Sequence, residues 1–524
     1  MRGYLQSANA DDSIYIKNMG TDKLYAGSLY AGHTLALDSR PGIERIDTLG
    51  DKNYGSAYLN AGEKVQLTTD GKLGWFAPLR ILNNGAEIIL EADEASIRGV
   101  NGLLGDKAIM NVGNVKTTHK AILQSEGNLQ LTGKLSAGTD TMLETLAGGD
   151  IYVSGDVNAE NATVQVSPDK TDKGKNGDIV VNGNIMARNL AALHNNTAEG
   201  GIYINGSVTG GILEMTGKDG DIVADGKLEA SKQDLSITSE TGDIDIGGDL
   251  DAKRDMTLKT GADGSITLYK DEKVNEVMNI HAGRNISLQT DNTDIIVEGK
   301  ITSDSGNITA TTQKGDIIFV GRVKAGKNIT GTVKEKGDVI YSGNTAAGRD
   351  VKATTQNGSI EYLGTVEATG GVTAEAGTGW IWYDGKVRSG GDVTATMGNG
   401  TIVYADSVSA GGSVEAKITQ NGDIIYLGVV KAGRDVIADA ASGNILYGSD
   451  VNAGRSVIAH TGSGSITYMG NVTAGKDLPE QIRKGYGKIA YYDRYGLVGY
   501  GKVDGSVPVR DAKPSDIKVT DIHK

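Results

Sequence analysis

Gly315-Asp-Ile-Ile-Phe-Val-Gly321 is followed by Gly337-Asp-Val-Ile-Tyr-Ser-Gly343, and from there one phrase keeps returning. It recurs as Gly358-Ser-Ile-Glu-Tyr-Leu-Gly364, Gly379-Trp-Ile-Trp-Tyr-Asp-Gly385 and Gly400-Thr-Ile-Val-Tyr-Ala-Asp406. Gly422-Asp-Ile-Ile-Tyr-Leu-Gly428, Gly443-Asn-Ile-Leu-Tyr-Gly-Ser449 and Gly464-Ser-Ile-Thr-Tyr-Met-Gly470 complete the run. The anchoring aliphatic residues, from Ile317 and Val339 to Ile466, are spaced 22, 21, 21, 21, 22, 21 and 21. A self-similarity of this period predicts a solenoid.

Each unit carries short strands and no helix. Ile and Tyr stand two apart, on one face of a strand. A second run follows, as in Val323-Lys-Ala, Val366-Glu-Ala and Val430-Lys-Ala, and then a corner such as Ala325-Gly-Lys-Asn328. A third run leaves the corner, as in Val351-Lys-Ala and Val436-Ile-Ala. Glycine, Asn and Asp supply the backbone that tight corners need. No segment sustains a 3.6-residue period. A helix-free unit of this kind can only coil, each turn stacking in parallel on the last. The expected fold is all-β, a right-handed parallel β-helix with coils of about 21–22 residues. Dividing the chain by that period gives roughly 24 coils.

Composition agrees. The chain has 524 residues with 76 glycines and 6 prolines, which points to many turns rather than disorder. The net charge of −14 disfavours a nucleic-acid partner. With no cysteine there are no disulfides or thiolate metal sites. No apolar run is long enough for a membrane-spanning helix, and Met1 to Ala10 lacks the pattern of a secretory signal.

Four regions follow. Residues 1–115 read as irregular amino-terminal coils, in which Trp75-Phe76-Ala77-Pro78 reads as a packed apolar corner rather than a binding site. Residues 116–477 are the regular repeats, interrupted at 167–176 and 270–279 by polar insertions that a solenoid would extrude. Residues 478–505, rich in Arg, Lys and Tyr, read as a divergent final coil or cap with Tyr491 one coil beyond the regular tyrosines. Residues 506–524 read as a polar tail or linker.

Two side-chain columns stand out. The residue two after each anchor is aliphatic up to Val297, then Phe319, Tyr341, Tyr362, Tyr383, Tyr404, Tyr426, Tyr447 and Tyr468. Stacked coils turn this into a tyrosine ladder, expected inside because it shares a face with the anchors. The residue between anchor and tyrosine should point outward. Ile318, Ile340, Trp382, Val403, Ile425 and Leu446 would then form an apolar contact ridge, interrupted by Glu361 and Thr467. The alternative is that this strip is covered by another segment.

No catalytic constellation is visible. The recurrent acids Asp316, Asp338, Asp350, Asp392, Asp423 and Asp435 sit at corners and alternate with Ser, Asn, Gly and Thr, which is turn chemistry. The six histidines are scattered without metal spacing. Catalytic, cofactor and metal sites are therefore expected to be absent.

The Ala-Gly-Lys/Arg-Asn/Asp-Val corner followed by Gly-Asp/Ser-Ile resembles the repeats of filamentous haemagglutinin-family exoproteins, over about residues 116–475. The resemblance implies a secreted or cell-surface β-helical shaft of a bacterial adhesin. It also implies export through a two-partner secretion transporter in the outer membrane and attachment to a host or bacterial surface receptor or glycan. The family's Asn-Pro-Asn secretion motifs and Val-Glu-Asn-Asn boundary do not occur, so an internal piece of a longer exoprotein is expected. The alternatives are the stalk of a contact-dependent toxin and, from another class, a β-helical polysaccharide-active enzyme or phage tail spike. A cluster of acids with Arg or Lys on one outer face would mark the last two.

Overall fold

Strands of three residues cannot hold themselves; each needs a neighbour along the hydrogen-bonding direction. The computed structural model supplies one in every coil. It describes residues 3–49, 57–101, 108–170, 176–269, 278–475, 489–493 and 496–501. The chain is all-β, a parallel β-solenoid of about 20 turns. That is fewer than the 24 that length alone gave. Among the described residues the only helical turn is a 3-10 turn at Ile46–Leu49. The chain divides into two units, residues 1–265 with 270–278, and residues 266–269 with 279–524.

In the second unit a coil consists of three strands, for example Ile317–Phe319, Val323–Ala325 and Ile329–Lys336. The next coil lies over it in register, with Ile317 beside Val339, Val323 beside Thr345 and Ile329 beside Val351. The Ile317 N–H donates to the Asp338 carbonyl at 2.9 Å. Because the register never slips at the anchors, the seven from Ile317 to Ile445 are all 0 % exposed. The glycine that opens each phrase is needed where the coils approach closest. Gly422 has φ +146°, and a Cβ there would fall 1.6 Å from the Gly400 carbonyl oxygen.

The tyrosine ladder is inside, as expected. Ring centroids from Phe319 to Tyr468 are 4.7–5.1 Å apart, with planes within 10° of parallel. Across the interior lies a column of small residues. In register these are Ala310, Gly331, Ala353, Ala374, Ala395, Ala416, Ala438 and Ala459. A Cβ on Gly331 would come within 2.8 Å of the Tyr341 hydroxyl, so the two columns face each other.

The first unit repeats the plan with a different filling. The ladder position holds Val153, Val181, Ile204, Ala224 and Ile246. The column on its third strands, the counterpart of the alanine column, holds Leu123, Leu143, Val164, Leu193, Met215, Ile237 and Leu258. The described part of residues 1–115 is already stacked coils, Gly3–Ala10 pairing in parallel with Leu24–Ala31 and Ile14–Asn18 with Thr34–Ser39. No break occurs at 115–116, since the strand Ile109–Thr117 runs across it.

Two expectations need correction. Trp75 and Phe76 are 59 % and 70 % exposed rather than packed. The wholly buried Glu44 carboxylate explains this: it accepts the backbone N–H groups of Trp75 (3.0 Å) and Phe76 (3.4 Å) and so fixes a turn that projects both rings. Lys23 answers its charge at 3.0 Å. At the far end, Ile489–Asp493 pairs in parallel with Val457–Thr461 and then antiparallel with Gly496–Gly501. Tyr491 therefore stands beside Ala459, not Tyr468, and is not a member of the ladder. The 506–524 tail, residues 171–175 of the first insertion and residues 270–277 of the second lie outside the described residues.

Candidate functional site

The residue between anchor and tyrosine alternates to the outer face, and the register aligns Ile318, Ile340, Glu361, Trp382, Val403, Ile425, Leu446 and Thr467 in one column. The predicted ridge therefore exists as a line, but it is not a fully open strip. Val403 and Leu446 are only 3 % and 9 % exposed, and the other predicted members are half-buried. Stacking at coil pitch makes each side chain shield its neighbours. Glu361 is drawn into the column's edge by accepting the Trp380 indole N–H at 2.7 Å. Ile296, beside Ile318, extends the line and was missed because its own coil lacks the aromatic that marks the phrase. More open apolar groups stand just past the ends of these strands: Val320 and Leu427 at 47 %, and Leu363 at 41 %.

The acids do stacking work. Asp294 Oδ1 accepts the Asp316 N–H at 2.7 Å, Asp316 accepts that of Asp338 at 2.8 Å, and Asp338 that of Ser359 at 2.7 Å. At the next corner Asn307 serves Asn328, Asn328 serves Asp350 and Asp350 serves Gly371. Asp392 and Asp423 likewise cap Ser413 and Asn444, and Asp435 caps Ser456. Burial raises the Asp316 carboxyl from its ordinary value; the Asp338 N–H it accepts works against this, and the charges of Asp338 and Asp294 add to it. Histidines pair across coils in the same way, His33 with Glu63 at 2.9 Å and His460 with Asp439 at 2.8 Å. Among the described residues no group of three or more His, Asp or Glu is placed to hold a metal.

The buried ladder phenols differ from both. The hydroxyls of Tyr341, Tyr362, Tyr383, Tyr404, Tyr426 and Tyr447 have no protein partner. Burial pushes all six well above the usual phenol range.

The first unit holds a concavity that periodicity did not reveal. A groove of about 840 Å³ crosses successive coils, its floor formed by the outward residues Ser136, Asn158, Met186 and Thr209. These stand in one register column with Lys116, which continues to Glu91 on one side and to Glu229 on the other. Two of the corners along it are short. In a regular coil Gly326, Lys327 and Asn328 separate the inward Ala325 from the inward Ile329. Only Glu160 and Asn161 separate Ala159 from Ala162, and only Gly211 and Ile212 separate Gly210 from Leu213. These corners recede. The following one, Ser231-Lys232-Gln233-Asp234, is longer and forms a wall. The signal in the sequence was the short interval of 20 from Ile202 to Ile222.

No family model, curated protein or solved structure matches this chain. Among the described residues no helix is long and apolar enough to cross a membrane.

Proposed function

We propose that the chain is the non-enzymatic β-helical shaft of a secreted or cell-surface bacterial adhesin, exported through a two-partner secretion transporter of the outer membrane. The observation that carries this reading is the use of polar side chains. Coil after coil, Asp and Asn are committed to the backbone of the next coil. Such a chain transmits a position along its axis. The resemblance of the Ala-Gly-Lys/Arg-Asn/Asp corners to haemagglutinin-type repeats supplies the surface setting. The stalk of a contact-dependent toxin would need the same shaft and differs in what it carries.

If the shaft itself attaches to a partner, the ridge around Trp382 and Ile425 is the surface offered, with Val403 and Leu446 too covered to contribute much. The experiment is external proteolysis of intact cells of the bacterium that makes the protein, with and without its transporter. The reading expects the chain to be cleaved from outside only when the transporter is present, and loss of the chain to reduce attachment. A chain protected inside intact cells, or attachment unchanged by its deletion, would overturn it.

A further inference from the structure

We propose that the groove of the first unit binds a linear acidic polysaccharide, a chain whose sugars carry carboxylates. This goes beyond a spacer role and holds whether or not the chain is an adhesin.

Three observations point the same way. The first is shape: the floor column runs along the stacking direction, so from Lys116 to the coil of Ser231 it spans on the order of 24 Å at about 4.8 Å per coil. That rise is close to the length of one pyranose residue, so successive sugars would meet equivalent positions on successive coils. The second is sign. The protein carries a net charge of −14, yet the groove is lined by Lys116, Arg188 and Lys232 against the single acid Glu160. The third is availability. Arg188 is exposed and no carboxylate among the described residues pairs with it, Glu160 included, whereas Lys116 is paired with Glu91 at 2.9 Å and Lys232 donates to Asn189 at 3.2 Å.

The lining suits a sugar rather than a flat aromatic or a lipid. Ser136, Asn158 and Thr209 present hydroxyl and amide groups at coil spacing, able to donate to and accept from ring hydroxyls. Met186, 49 % exposed, supplies an adaptable apolar patch for the C–H face of a sugar ring. The planar guanidinium of Arg188 matches a carboxylate in two parallel hydrogen bonds, and it is the anchor.

The test uses the full chain, with hexameric oligogalacturonate as the anionic probe and a neutral hexasaccharide of glucose as control, by titration calorimetry at physiological salt. The proposal expects binding of the first and not the second. Arg188→Glu should lower affinity about tenfold or more, since it removes a charge-assisted pair and adds repulsion. Asn158→Trp, on the solvent side of its strand, should block the floor with the melting temperature unchanged. Lys324→Glu, an exposed outward lysine of the second unit, should change nothing. Equal loss from Lys324→Glu would mean that polyanions simply adhere to the surface. A single-stranded oligonucleotide of equal charge binding as well as the sugar would put a nucleic acid in the sugar's place. Either result, equal binding of the neutral hexasaccharide, or no effect of Arg188→Glu in a folded protein, overturns the proposal.

Discussion

The two units solve one packing problem in opposite ways. In the first, aliphatic residues at the ladder position face a column of Leu, Met, Ile and Val. In the second, tyrosines face alanines. The switch takes one step within the second unit, where Leu288 with Val297 gives way to Ala310 with Phe319. Bulk is moved from one wall to the other, so that a large residue meets a small one, which is how a close-packed core is kept filled. What changes is chemistry: the second unit gains aligned rings and with them six buried hydroxyls that no protein group satisfies.

That difference can be broken most severely with alkali. The ladder phenols ionise only above their raised folded values, whereas in the unfolded chain they ionise near pH 10. Their stabilising contribution is thus intact below about pH 10 and is lost as pH rises, at about 1.4 kcal/mol per pH unit for each group. With six acting together, the second unit should unfold first, its phenolate absorbance rising in step with loss of circular dichroism. Ladder phenolate appearing in a chain that keeps its β signal would sink the buried-hydroxyl account.

Next in size is a charge placed on an anchor. Ile402 and Ile244 are both 0 % exposed, so Ile402→Asp and Ile244→Asp should each cost several kcal/mol in denaturant titrations. A large effect in one unit and none in the other would show that the two cores are not equivalent at the anchors.

A smaller and more pointed test overfills the small column. Ala395→Leu should cost about 1–3 kcal/mol, and adding Tyr404→Leu should recover part of it, because the two sites face each other. Strict additivity in this double-mutant cycle would deny that contact.

The smallest effect is expected at the Asp ladder. Asp316→Asn keeps the oxygen that accepts the Asp338 N–H and removes a charge that burial and the neighbouring carboxylates disfavour, against the support of that N–H. With the folded value raised, the charged form opposes stability at neutral pH and the opposition fades as pH falls through that value. The variant should gain about 0.5 kcal/mol at pH 7 and lose its advantage at pH 3. A destabilised variant at pH 7 would mean that the carboxylate charge strengthens the stack.

The repeat was legible from sequence because stacking imposes one rule at every coil. An anchor must be aliphatic and a close approach must be glycine, so Ile424 and Gly422 announce themselves wherever they recur. The ladder was legible for the same reason, whereas the corner acids, read as turn residues, turn out to reach the backbone of the next coil. Other features were decided only by tertiary structure. Whether Val403 is open depends on its neighbours above and below, which composition does not order by exposure. Trp75 and Phe76 are projected because Glu44, distant in sequence, is buried beneath them. Tyr491 fits the ladder by composition but stands in another column, because the final strand stacks on Val457–Thr461 and then turns back. Two of the corners along the groove are one residue short, and a deletion in a single line of text has no depth until the coils are stacked. Sequence determined the period and the inward face because both are properties of one coil repeated; exposure and concavity are properties of coils taken together, and only the tertiary structure decided them.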